Sequence, residues 1–249
     1  MDSILIIGQS NMAGRGFPTE VEPIKNKSLF VLRNGRWWPM YTPVNPDRVT
    51  AGVCLAESFA DSYAKEHETE LGIIPCADGG TTLEQWAPGG VLFDHACYMT
   101  ELAARSSRVV AILWHQGESD CSPDRCPYYE EGLTRMINAL REKTGLSDVP
   151  FLVGGLGDYL VNYHKELGYF GENYKKINAA LQSVAEKQHL VGFVSAEGLL
   201  PNADNLHFSA PSLRAFGLRY YEAFSRLSSE NGSSGSPTAQ TCFTEMEAL

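Results

Sequence analysis

Five short apolar runs, Ile4–Ile7, Leu71–Cys76, Val109–Trp114, Phe151–Val153 and Leu190–Ser195, recur along the chain with longer stretches between them. Their brevity and unbroken apolar character fit strands buried on both faces, as in a parallel sheet covered by helices. The intervening stretches carry helical spacing. Leu55, Phe59 and Tyr63 fall four apart within Gly52–Glu66, and Leu133, Met136, Ile137 and Leu140 share a face of Tyr128–Lys143. Tyr174, Ile177, Leu181 and Val184 do the same within Gly171–Lys187, and Leu92–Ser106 also reads as helix. Ser209 and Pro211 open a last helix with Leu213, Phe216, Tyr220, Phe224 and Leu227 on its buried stripe. Strands alternating with helices imply right-handed crossovers, so the expected fold is α/β: a three-layer α/β/α sandwich around a five-stranded parallel sheet.

The remaining segments fit around that frame. Ser28–Tyr41 reads as a hairpin, because Asn34-Gly35 is a favoured two-residue turn between β-forming residues. From Ser228 the chain becomes rich in Ser, Gly and polar residues, which cannot supply a core. The expected division is one domain over 1–227 and a flexible tail over 228–249. The charge of -10 and the lack of clustered basic residues exclude nucleic acid as the expected partner. No run approaches membrane-spanning length, and the first apolar run, four residues preceded by Asp2, does not resemble a signal peptide. The six cysteines form no CxxC pair and suit reduced thiols, so a cytoplasmic protein is expected. Oligomeric state is not legible.

Chemistry gathers where the strands end. The first run stops at Gly8-Gln9-Ser10-Asn11, the second at Asp78-Gly79-Gly80-Thr81, the third at His115-Gln116-Gly117-Glu118, and the last is followed by Asp204-Asn205-Leu206-His207. In open α/β sheets such ends line the ligand crevice, so the topology brings all four segments to one rim. A hydroxyl, an imidazole, carboxylates and glycine backbone donors are the parts of acyl transfer. Ser10 is the candidate nucleophile. Three residues apart on one turn, Asp204 can fix one imidazole nitrogen of His207 while the other faces Ser10. Either motif alone is unremarkable: a turn serine and a surface DxxH are both common. The chain order also suits an α/β-hydrolase, but that fold's GxSxG elbow would need glycine where Met12 stands.

The four ordered blocks GQSNMAGRG, GGTT, WHQGES and DNLHFS resemble those of the SGNH hydrolase superfamily, in the form of its sialate O-acetylesterase branch, which includes the family-six acetylxylan esterases. The resemblance covers about the first nine-tenths of the chain. It implies a serine esterase that removes acetyl groups from carbohydrate, through an acetyl-enzyme and without cofactor or metal. Ser10 would be the nucleophile, His207 the general base and Asp204 its orienting acid. The implied oxyanion donors are the Ser10 N–H, an N–H of Gly79 or Gly80, the doublet permitting two alignments, and the Gln116 side chain. Many SGNH enzymes carry Asn at that last position. The implied substrate is a small acetylated sugar, either acetylated xylo-oligosaccharide or O-acetylated sialic acid.

Further residues have two readings each. Glu118 is a charge partner for Arg15 or His115 near the substrate, or a cap of the next helix. His115 is a satisfied buried histidine or a catalytic one. A metal set of His115, Glu118, Asp120 and Cys121 lacks zinc-type spacing. Trp37, Trp38, Tyr41 and, foremost, Trp86 offer flat faces for a sugar ring or simply pack. The alternative function is a non-catalytic carbohydrate-binding or scaffold protein that retains the fold. A phosphate- or flavin-binding module lacks both GxGxxG and the Walker lysine pattern.

Overall fold

The computed structural model describes residues 1–165 and 171–234. The five apolar runs become β1 (Asp2–Gly8), β4 (Leu71–Pro75), β5 (Arg108–His115), β6 (Phe151–Gly154) and β7 (Val191–Val194). The hairpin supplies β2 (Leu29–Arg33) and β3 (Arg36–Pro39), turning at Asn34 (φ 50°) and Gly35 (φ 73°). Two successive residues with positive φ match the right-handed twist of the paired strands. All seven form one sheet in the order β3-β2-β4-β1-β5-β6-β7, parallel except for β3. The sheet is therefore wider than the five strands expected from the apolar runs. The hairpin docks because Leu29, Val31 and Leu32 are buried and because β2 runs in register beside β4.

Six helices complete the layers: α1 (Ser10–Ala13), α2 (Leu55–Glu66), α3 (Val91–Ala104), α4 (Tyr129–Thr144), α5 (Asn173–Lys187) and α6 (Ala210–Ser234). Helices α2 and α6 pack on each other over one face of the sheet, and the series α3, α4, α5 covers the other. Ile4, Leu5, Ile6 and Ile7 are wholly buried, as a central strand covered on both faces requires. Helix α6 continues past Leu227 to Ser234, so the polar composition from Ser228 does not end the helix; residues 235–249 of the proposed tail lie outside the described residues. Among the described residues no helix is long and apolar enough to cross a membrane. Cys54, Cys76, Cys97, Cys121 and Cys126 are all buried free thiols, and Cys242 lies outside the described residues.

Strand β1 lies between β4 and β5, where the strand order reverses, and this is where an open sheet leaves a crevice. Gly8 pairs with His115, and a Cβ on it would stand 2.1 Å from the His115 carbonyl oxygen. With φ at 129°, Gly8 lets the chain leave the sheet at closest approach to β5. The Gln9 N–H then donates to His115 O at 2.9 Å, and the Asp78 N–H donates to Gly8 O at 3.0 Å. Three strand ends are thereby tied at one rim.

Candidate active site

Ser10 is the first residue of α1, immediately beyond that rim. Its Oγ lies 3.0 Å from His207 Nε2, and His207 Nδ1 lies 2.7 Å from Asp204 Oδ2. A carboxylate oxygen only accepts, so the imidazole carries its proton on Nδ1 and leaves Nε2 free to accept from the serine hydroxyl. The structure thus brings together the hydroxyl, imidazole and carboxylate singled out in the sequence.

The histidine's loop is folded by its own residues. Asp204 Oδ1 accepts the N–H groups of Leu206 (2.9 Å) and His207 (3.0 Å), and Asn205 occupies the left-handed region at φ 53°. Burial raises the Asp204 carboxyl pKa, but those two N–H groups and the His207 ring outweigh it and hold the group below its usual value. Asn11, next to the nucleophile, grips the loop on both sides of the histidine. Its Nδ2 donates to Leu206 O at 3.2 Å, and its Oδ1 accepts from the Phe208 N–H at 3.0 Å. The same Nδ2 donates to Glu118 Oε1 at 2.6 Å. The asparagine's place beside the serine was the only trace of this role in the sequence.

Glu118 takes one of its two expected partnerships. Its Oε1 lies 3.6 Å from His115 Nδ1, whereas Arg15 forms a two-pronged pair with Asp47, at 3.0 and 2.7 Å. His115 is wholly buried, with Nε2 3.2 Å from Gly155 O. Burial lowers its pKa against the pull of Glu118, so the ring is neutral. His115 faces Gly155 and Glu118 rather than Ser10. The other members of the metal set that could be drawn also point elsewhere: Cys121 Sγ donates to Gly117 O at 3.3 Å, and Asp120 accepts from the Leu83 N–H at 2.9 Å.

Ser10 and His207 border a cleft of about 280 Å³ with Gln9, Arg15, Arg48, Gly79, Gly80, Glu118, Ser119 and Leu206. Three expectations change here. Gly79 donates its N–H to Asp47 Oδ2 at 2.8 Å, while the Gly80 N–H has no acceptor among the described residues, so the two glycines of the doublet are not equivalent. Gln116 is 0% exposed and lies behind the cleft wall. Its amide nitrogen lies 2.5 Å from Asp120 Oδ2, 2.9 Å from Thr81 O and 3.2 Å from Gln9 Oε1, so its two N–H groups are engaged inside the protein instead of aimed at a substrate. Trp86 is 1% exposed, stacked edge-on against Trp114 at 5.5 Å and donating to Thr81 Oγ1 at 3.1 Å. It is a core residue beneath the second block.

The other aromatics lie on the hairpin side of the sheet. Trp37 covers Gly72 of β4 and donates to Ser106 Oγ at 3.0 Å, and Tyr41 stacks on the Arg33 guanidinium at 4.7 Å. Trp38, on the same hairpin, is exposed. Sequence reading missed Asp47 and Arg48, which shape the glycine turn from a loop without regular spacing. Arg48 pairs with Asp78 at 2.7 Å and donates to Gly79 O at 3.1 Å.

The chain is 28% identical over 248 residues to a probable carbohydrate esterase of Arabidopsis thaliana, covering 88% of each. It is similar to an Arabidopsis thaliana crystal structure with a TM-score of 0.80 and 27% identity, covering 90% of this chain and 98% of that one. A carbohydrate acetylesterase of Xanthomonas citri shares the fold, with a TM-score of 0.69 and 19% identity over 92% of this chain and 57% of that one. The family model for SASA, the carbohydrate esterases described as sialic acid-specific acetylesterases, matches residues 1–226, and the chain belongs to that family.

Proposed function

We propose that the protein is a serine esterase that removes acetyl groups from O-acetylated carbohydrate. The observation that carries the reading is the unbroken line from Ser10 Oγ through His207 to Asp204, with steps of 3.0 and 2.7 Å. In this reading His207 takes the serine proton as the hydroxyl attacks the acetyl carbonyl, and Asp204 supports the imidazolium that forms. The tetrahedral intermediate collapses to an acetyl-enzyme as the sugar alcohol leaves with the proton from His207. Water, deprotonated by His207, then releases acetate.

Ser10 and Gly80 supply backbone donors for the oxyanion. As the first helical residue, Ser10 has an N–H with no intrahelical acceptor, and the Gly80 N–H is equally uncommitted. A cleft of about 280 Å³ suits a short acyl group. Its donors engage the ester rather than a particular sugar, so acetylated xylo-oligosaccharide and O-acetylated sialic acid both fit the chemistry.

A fluorophosphonate should label Ser10 stoichiometrically, with peptide mapping as the readout. Wild-type protein should release acetate from p-nitrophenyl acetate and from members of a panel of acetylated xylose and sialic acid compounds, and Ser10→Ala should abolish turnover. Label on another serine, or turnover in the alanine variant, would remove Ser10 from the reaction.

A further inference from the structure

Gln9, which precedes Ser10 and lines its cleft, is fixed by a chain of hydrogen bonds beginning deep in the core. Tyr129 is buried, and burial pushes its phenol pKa well up, so the hydroxyl keeps its proton. It receives the Trp114 Nε1–H at 3.3 Å, and its single O–H is shared between the Gln116 backbone O (2.8 Å) and Oε1 (2.9 Å). With its oxygen held there, Gln116 presents its NH2 to the opposite side, where the Thr81 carbonyl, at 2.9 Å, can only accept. The same NH2, whose two hydrogens Asp120 Oδ2 (2.5 Å) and the Thr81 carbonyl also share, lies 3.2 Å from Gln9 Oε1, and the Ser119 N–H approaches that oxygen at 3.5 Å, so a reversed Gln9 would set donor against donor. Gln9 therefore has one permitted orientation: its oxygen faces the protein and its NH2 faces away.

Away from the protein means into the cleft. Gln9 lines the same volume as Ser10, Gly80 and His207. Its Nε2 meets no acceptor among the described residues, yet it is not one of the sealed polar atoms without a partner, so it still touches solvent. An N–H pair in a largely buried wall beside the nucleophile, prevented from turning and lacking an internal acceptor, is a preorganised donor.

We infer that Gln9, held in place by Gln116, is the side-chain donor to the oxyanion and completes the set formed with the Ser10 and Gly80 N–H groups; this rests on the esterase reading above. Gln116 is then a positioning residue that acts through Gln9. The assignment places the side-chain donor on the β1 turn itself, one residue before the nucleophile.

The test is steady-state kinetics of wild type, Gln9→Met and Gln9→Glu on p-nitrophenyl acetate, which carries no sugar, with thermal melting of each protein. Gln9→Met conserves volume but removes the donor, and Gln9→Glu keeps an oxygen for Gln116 while replacing the donor with an acceptor. The expected result in a folded variant is a fall in kcat of about 100- to 1000-fold with KM within about threefold of wild type. Should Gln9→Met fail to fold, Gln9→Glu carries the measurement alone. An active wild type with kcat undiminished in a folded variant, or with the loss confined to KM, overturns the role of Gln9 and leaves the esterase reading standing. A wild type that neither turns over acetyl esters nor takes a fluorophosphonate at Ser10 overturns both.

Discussion

Ser10 stands between two flanks built in different ways. On one side, Asp204 and His207 belong to a single turn, and the Asp204 carboxylate makes its hydrogen bonds within four residues; its side chain remains 45% exposed. On the other, Asp47 reaches Gly79, and Gln116 and Asp120 reach Thr81 and Leu83, joining segments more than thirty residues apart through largely buried hydrogen bonds at the ends of β4 and β5. A local turn can be accurate while wet because the chain itself sets its geometry. A site assembled from distant segments is held by burial, where each unmatched polar group is costly.

The largest test of this contrast is Asp204→Asn. Loss of the carboxylate removes tautomer control and support for the imidazolium, with an expected drop in acylation rate of about 10⁴-fold that far exceeds the accompanying fall in stability. Glu118→Gln, which keeps an oxygen for the Asn11 amide, should act through stability. Single-turnover acylation with thermal melting separates them, and a folded Glu118→Gln that stops chemistry while Asp204→Asn does not would exchange their roles.

On the buried flank, Asp47→Ala should act mainly on stability. It strands the Arg15 guanidinium, 8% exposed, and releases the Gly79 N–H, so the expected loss is about 3–5 kcal/mol in denaturant unfolding. A loss comparable to that of an exposed pair, under about 1 kcal/mol, would show that this flank is not rigidly built.

Asn11→Ala joins the two flanks and should show both effects at smaller size. It leaves the Phe208 N–H and the buried Glu118 oxygen without their partner, an expected cost of about 1–3 kcal/mol in unfolding. The loosened histidine should also lower kcat by about 10²-fold. Unchanged kcat in a destabilised protein would mean that the turn positions His207 unaided.

The smallest effect is one of pH. Because the folded-state pKa of Asp204 is depressed, its contribution to stability is present above the unfolded carboxylate value and is lost as pH falls through the folded value. The stability gap between wild type and Asp204→Asn should therefore narrow below about pH 4. Melting curves across that range check it, and a gap that stays constant into stronger acid would deny the carboxylate its hydrogen-bonded state.

The same contrast explains what could be read in advance. The strands and the meeting of Ser10, His207 and Asp204 were legible because continuous apolar runs mark buried strands and a three-residue spacing confines Asp204 and His207 to one turn. The hairpin was legible, but its docking beside β4 was not, since Leu29 and Val31 look the same beneath any partner. Trp86 and Gln116 were misplaced for a shared reason. Both stand beside a motif, and whether a side chain there turns outward or inward depends on partners such as Trp114 and Tyr129 that no local pattern identifies. The extension of α6 to Ser234 shows that a helix begun on a buried stripe continues beyond it where the residues permit.

The clamp between Asn11 and the histidine turn also orders events in time. Ser10 and its base are 197 positions apart, and the strand carrying the serine must wait for both neighbours before it has a place in the sheet. At ribosomal speeds of ~5–20 residues per second, roughly 10 to 40 s separate synthesis of nucleophile and base. Throughout that interval the serine is an ordinary alcohol, weakly nucleophilic without its partner. On the proposed serine esterase mechanism, the nascent chain is thus chemically silent toward the esters around it, and reactivity arrives only with the closing segment of the fold.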